Sequence, residues 1–201
     1  MTREEVRGAI VNLDPAAKKV RLPARFDDVR WHRIDYLGWR DPRAPTHAYL
    51  VTEADGRARG VLLRQAPNAS AHGSRAVMCD LCRFARRFNE VSLFTAQRPS
   101  RDKRERLDAT GLLLCTDLDC TAKVHGRPVR EAFDRPVDEI IATRREGLRS
   151  RTTAFVRSVA EPRQAPIGRT PSRVFRLDQA GPREPGMIQT RGPRSRSGPR
   201  A

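Results

Sequence analysis

All four cysteines of this 201-residue chain sit in two close pairs, Cys79-Asp80-Leu81-Cys82 and Cys115-Thr116-Asp117-Leu118-Asp119-Cys120. A two-residue gap lets both thiolates point at one ion from a tight turn. A four-residue gap can do the same where the end of a strand turns into a helix. Zn²⁺ takes four such ligands tetrahedrally at about 2.3 Å, and a closed set of four cysteines marks a structural rather than a catalytic ion. Such an ion contributes an apparent ~10–16 kcal/mol in small fingers. That matches the whole stability of an ordinary domain, about 5–15 kcal/mol, so the metal is expected to decide whether this region folds at all.

Cys82 and Cys115 are separated by 32 residues, room for a hairpin between the two knuckles, as in a treble-clef finger. Other uses of the four thiols fit less well. Disulfides require an oxidising compartment, and the start Met1-Thr2-Arg3-Glu4-Glu5 lacks a signal peptide's apolar stretch. The expectation is therefore a cytoplasmic protein. Dithiol redox chemistry at Cys79 and Cys82 leaves the second pair unexplained. An iron–sulfur cluster also takes four cysteines, but paired knuckles favour zinc. A zinc deaminase needs an H-x-E motif, which does not occur. His125, five residues after Cys120, meets a filled shell and reads as a turn residue before Gly126. His32, His47 and His72 are scattered. With no phosphate-binding glycine loop, G-x-S-x-G or H-E-x-x-H in the sequence, the reading is a non-enzymatic protein.

Charge sets the surface. Lys and Arg number 40 against 24 Asp and Glu, a formal net charge of +16. That excess must lie outside and attracts polyanions. No apolar run approaches the roughly 18 residues of a membrane span. Residues 161–201 hold 9 arginines and 7 of the 15 prolines but only 3 acids. They bury too little to offset backbone ordering of about 1–2 kcal/mol per residue, so 161–201 is expected to be a disordered basic tail. It is either an electrostatic arm for RNA or a dispensable extension. The domain is expected to span 1–160, with a helix-and-hairpin part over 1–75 and the zinc-finger part over 76–160.

Within it, Thr2 and Glu5 have capping-box spacing, and Val6, Ala9 and Ile10 follow at helical intervals. They predict a helix over 2–12, ended by Asp14-Pro15. Residues 20–31 read as irregular, and Trp31, Tyr36 and Trp39 as core area rather than a base-stacking platform. His47–Thr52 and Ala58–Arg64 read as strands joined at Glu53-Ala54-Asp55-Gly56. Residues 66–75 and 97–110 read as loops, Val91–Ala96 as a strand and Leu112–Leu114 as a short buried one. Pro136, Asp138 and Glu139 suit a helix start, and Ile141, Leu148, Phe155 and Val159 share one side of a helix reaching 159. The fold class is α+β: a mostly antiparallel sheet, flanking helices and one four-cysteine finger.

Trp31, Tyr36-Leu37-Gly38-Trp39-Arg40-Asp41-Pro42, Met78-Cys79-Asp80-Leu81-Cys82, Ser92-Leu93-Phe94-Thr95-Ala96 and Cys115 through Cys120 together resemble the FBP domain family. This is the elongation-factor-G-binding, treble-clef zinc-finger domain of FusB-type fusidic acid resistance proteins, and the order and spacing resemble its stand-alone actinobacterial members. The resemblance covers about residues 2–160. It implies one structural Zn²⁺ on Cys79, Cys82, Cys115 and Cys120. It also implies a cytoplasmic protein that docks on elongation factor G, helps it leave the ribosome and so relieves fusidic acid stalling; a monomer without membrane contact is expected. Two positions depart from the pattern: Leu113, where an aromatic is expected, and Thr121, where a serine is expected. A docking surface needs aromatic and Arg anchors. The candidates near the knuckles are Arg83, Phe84, Arg86, Arg87 and Phe88, with Phe94 more at home in the core. Arg101, Lys103 and Arg104 form a basic loop that could meet an acidic patch or ribosomal RNA. The alternative is an RNA-binding finger acting through that loop and the tail.

Overall fold

The computed structural model describes residues 1–13, 20–67, 75–99, 108–129 and 135–161, all within the unit Met1–Arg163. The tail beyond 161 and the basic loop residues Arg101, Lys103 and Arg104 lie outside the described residues.

The capping box forms as its spacing requires. Thr2 Oγ1 accepts from the Glu5 amide at 3.2 Å, and the Glu5 carboxylate accepts from the Thr2 amide at 2.6 Å. The helix it starts, α1, covers Arg3–Gly8 and is shorter than the periodicity predicts. The reason is tertiary: Ile10 leaves the helix to pair with Gly60, whose amide donates to Ala9 O and whose carbonyl accepts from the Val11 amide, both at 2.9 Å.

Five antiparallel strands follow: β1 Leu37–Asp41, β2 Ala44–Ala54, β3 Arg57–Gln65, then β6 Val91–Gln97 and β7 Ala109–Cys115, in spatial order β1-β2-β3-β6-β7. Two three-residue strands, β4 Ala76–Met78 and β5 Ala85–Arg87, form a separate hairpin. Asp55 and Gly56 close the β2–β3 hairpin, both at positive φ (55° and 69°), as a two-residue turn matched to strand twist requires. β1 and its turn into β2 were not foreseen, and the strand ends take in Gln97, Ala109 and Thr110 from the expected loop.

Strand periodicity divides the sheet into two faces. On one side Trp39, Tyr49 and Val51 pack with Val6, Ile10 and Phe26. On the other Ala48, Leu50, Val61, Leu63, Phe94 and Leu114 pack with the four cysteines and with Leu148, Val156 and Val159. Those last three belong to α3, Val137–Ala160, which starts after Pro136 with Asp138 and Glu139 in its first turn. Phe155 packs against the same core, while Ile141 is only half-buried.

The two hairpins of the sheet meet at a short seam, where Arg64 faces Thr95 and Gln65 faces Phe94. Beyond it β3 and β6 diverge, and Asn12 fills the gap. Its side-chain amide donates to Leu62 O and Gln97 O, both at 2.9 Å, while its carbonyl oxygen accepts from the Leu62 amide at 2.7 Å.

Candidate metal centre

The first knuckle hangs between β4 and β5. The Cys79 amide donates to Phe84 O at 3.1 Å and the Arg83 amide to Cys79 O at 2.9 Å. The tight return forces Arg83 to φ 63°, a conformation costing a side-chain-bearing residue about 1–2 kcal/mol. The second knuckle leaves the end of β7 at Cys115 and turns at Leu118, φ 60°. It enters a helix, α2, Cys120–His125, so the four-residue gap spans a strand end that turns into a helix, and α2 is capped by Asp119 accepting from the Ala122 amide at 3.1 Å.

These turns bring the four thiols together. All four cysteines are buried, and their sulfurs lie within 4.8 Å of one another. Cys79 Sγ and Cys120 Sγ are 3.7 Å apart, and Cys82 Sγ and Cys115 Sγ 3.8 Å. A tetrahedron with sulfur at about 2.3 Å from its centre has edges of about 3.8 Å. The four cysteines therefore fit one structural Zn²⁺. As free thiols the same four groups are electrostatically unbalanced. Hydrogen bonds from Cys115 first, then Cys120, hold Cys79 well below the usual thiol range and lower Cys82. Cys120 is pushed far up by its bonds to Cys115, Cys79 and Cys82 and by burial. Cys115, although drawn down by Cys120, is driven up by Cys79, Cys82 and burial. Repulsion limits how many of the clustered thiols ionise together; a divalent cation removes that limit.

The residues that lock the knuckles in place are mostly ones whose role the sequence did not reveal. Asp80 ties the first knuckle to β7: its amide donates to Leu113 O at 2.7 Å, and its Oδ2 accepts from the Leu113 amide at 2.6 Å. Arg151 of α3 donates from Nε to Leu81 O at 2.6 Å. The second knuckle rests on the aromatic block. Tyr36 Oη donates to Leu118 O at 2.8 Å and accepts from the Cys120 amide at 3.3 Å. Burial, with Cys120 adding to it, pushes the Tyr36 phenol well above its ordinary value. Gly38 lies directly beneath: a Cβ there would come within 2.8 Å of the Tyr36 ring and 3.0 Å of Leu118. Arg40 donates from Nε and Nη2 to Thr116 O at 3.2 and 2.8 Å, with its guanidinium 5.5 Å from the Phe94 ring centroid. The Tyr36–Arg40 run is thus a bracket between sheet and finger, with Leu37 and Trp39 facing the other core.

His125 is a correction. It closes α2, and its Nε2 lies 3.1 Å from Asp35 Oδ2 rather than idling in a turn. Thr121 keeps the hydroxyl its position calls for, since Oγ1 accepts from the Asp35 amide at 3.3 Å. Leu113, read as part of a buried strand, faces outward at 37% exposure beside its cross-strand partner Leu93 at 44%. Of the anchor candidates, Arg83 and Arg87 are exposed. Arg86 pairs with Glu90 at 2.6 Å. Phe84 is half-buried with the Arg144 guanidinium 5.1 Å from its ring centroid, and Phe88 is half-buried. Phe94 is fully buried. Among the described residues no helix is long and apolar enough to cross a membrane.

A model of the FBP C-terminal treble-clef zinc-finger family matches residues 5–159. No curated protein and no solved structure matches the chain.

Proposed function

The chain belongs to the FBP C-terminal treble-clef zinc-finger family, and from that premise we propose that it is a non-enzymatic adaptor that binds elongation factor G in the cytoplasm and promotes its release from the ribosome. Relief of fusidic acid stalling follows where the drug holds the factor in place. The zinc stiffens the docking surface; the surface does the binding.

One observation supports the reading most. Met78, Leu93 and Leu113 are large apolar residues left exposed, Met78 at 51%. They lie on linked segments: Met78 leads into the first knuckle, Asp80 of that knuckle bonds Leu113 through two backbone-directed contacts, and Leu113 stands opposite Leu93. Exposed apolar residues gathered in this way mark partner surfaces. Here the rim carries Arg83 and Arg87, and a rigid patch loses little entropy on binding. The position where an aromatic was expected, Leu113, falls within this patch, so it is a contact rather than a core position.

Affinity capture of purified elongation factor G by the zinc-loaded chain at low salt is the test. Retention of the factor is expected, with loss of at least about tenfold in affinity for a Leu93→Asp, Leu113→Asp double variant, since central anchors contribute about 2 kcal/mol or more. No retention by the zinc-loaded wild-type chain would overturn the reading.

A further inference from the structure

Trp39 is absorbed by the core, but Trp31 is not. It is half-buried, meets Phe26 edge-on with ring centroids 5.8 Å apart, and walls a cleft of about 420 Å³ together with His32, Leu37, Glu53 and Arg149. Below this cleft lies the most unusual charge cluster of the described residues. The Asp35 carboxylate is 0% exposed, and three cationic or ionisable groups converge on it. Its Oδ1 accepts from Nε of Arg145 at 3.1 Å and Nε of Arg149 at 2.9 Å, and its Oδ2 faces His125.

Two guanidiniums on one carboxylate leave a net positive charge at this point. Among the described residues, each arginine uses only Nε–H in this cluster, so the NH₂ groups of both remain available. Arg149 is the more open of the two, with 47% of its side chain exposed. A guanidinium already oriented by a buried carboxylate forfeits less rotamer freedom when it binds a second anion, and its planar fork matches a phosphate. Two further carboxylates, Glu53 and Asp55, line the cleft, and Arg149 is its one arginine. Asp55 is engaged by Arg157 at 2.7 and 2.8 Å, and Glu53 is exposed. An anionic ligand group is therefore directed toward Arg149, and a flat ring toward Trp31. Cleft volume is in the range of small-ligand sites, and an indole face takes any base by stacking.

We infer that this cleft binds a nucleotide, with its phosphate on the Arg149 guanidinium, which lines the cleft, and its base against Trp31, presented either by single-stranded RNA or as a free mononucleotide. The site is separate from the Met78–Leu93–Leu113 patch, and its test does not involve elongation factor G.

The test is a tryptophan-fluorescence titration of the full, zinc-loaded chain with a short oligoadenylate, with AMP and with inorganic phosphate. Saturable quenching by the oligoadenylate or by AMP is expected, and its absence in Trp31→Phe. Arg149→Ala should weaken binding at least about fivefold, and Arg149→Lys, which keeps the charge and loses the fork, by less. Arg64→Ala, an exposed arginine of β3, serves as the control and should change affinity less than either. Zinc content and melting temperature of each variant verify the fold. Quenching by oligoadenylate that AMP does not compete away assigns the site to RNA; equal competition assigns it to the free nucleotide. Absence of saturable quenching, or equal losses in Arg149→Ala and Arg64→Ala, would overturn the proposal.

Discussion

On the face of the sheet that carries α1, the Trp39 and Tyr49 rings stack at 4.9 Å, and Trp39 Nε1 donates to Arg21 O at 2.8 Å. On the opposite face four sulfurs occupy the middle of the core, and the elements around them are short: three residues each for β4 and β5, six for α2. The first face is held by apolar area removed from water alone, the second by apolar packing together with ligation. β4, β5 and α2 bury too little to persist by themselves, so their geometry is inherited from the ion that joins them. The two regions share β2 and β3, whose alternate residues serve one core and then the other, and they are joined at the Arg64–Gln65 seam, through Asn12 and through the Tyr36 and Arg40 bonds to the second knuckle. Cooperativity between them should therefore be incomplete.

The largest way to break this comparison is to remove the metal. Chelation, or Cys115→Ser, should abolish hydrogen-exchange protection across β4–β7, α2 and the finger side of α3, because the ~10–16 kcal/mol of ligation exceeds what such a domain can lose. Protection in the β1–β3 meander should fall later and by less. Simultaneous loss in both regions would refute the division. The reverse experiment is Trp39→Ala, expected to cost about 3–5 kcal/mol through the cavity left beside Tyr49, read as a lowered melting temperature with zinc retained at one ion per chain. Loss of the metal in that variant would show that the aromatic core also holds the finger.

Smaller changes sharpen the boundary. Tyr36→Phe removes the hydroxyl that serves both Leu118 O and the Cys120 amide, leaving buried groups unsatisfied at about 1–3 kcal/mol. It should weaken zinc retention against a competing chelator more than it affects the β1–β3 region. At the small end, Arg83→Gly relieves a left-handed backbone worth about 1–2 kcal/mol, offset by the added freedom of glycine, about 0.5–1 kcal/mol. A net stabilisation below about 1 kcal/mol is expected, visible in the finger-side transition, together with weaker capture of elongation factor G if Arg83 lies in the contact.

What the sequence disclosed follows the same division. Features written in local chemistry were legible: the cysteine spacing, the Thr2–Glu5 capping box, the Asp55-Gly56 turn and the start of α3 after Pro136. Features written in tertiary contact were not. β1 was hidden because its alternation runs Leu37, Gly38, Trp39, Arg40, with a glycine and an arginine on the finger side, where Leu118 leaves no room for a Cβ at Gly38 and Arg40 bonds Thr116 O. α1 ended early because Gly60 takes the Ala9 carbonyl and the Val11 amide on either side of Ile10. Leu113 looked buried within a run of three leucines, yet strand alternation turns it outward between Leu112 and Leu114. Asp80 and His125 carried no local signal, since their partners lie 33 and 90 residues away.

The claim on which the rest depends is that one ion sits among all four thiolates. X-ray absorption at the zinc edge of the purified chain tests it directly: one zinc per chain with four sulfur scatterers at about 2.3 Å is expected. A shell containing nitrogen or oxygen, or a folded chain that carries no metal, would contradict it.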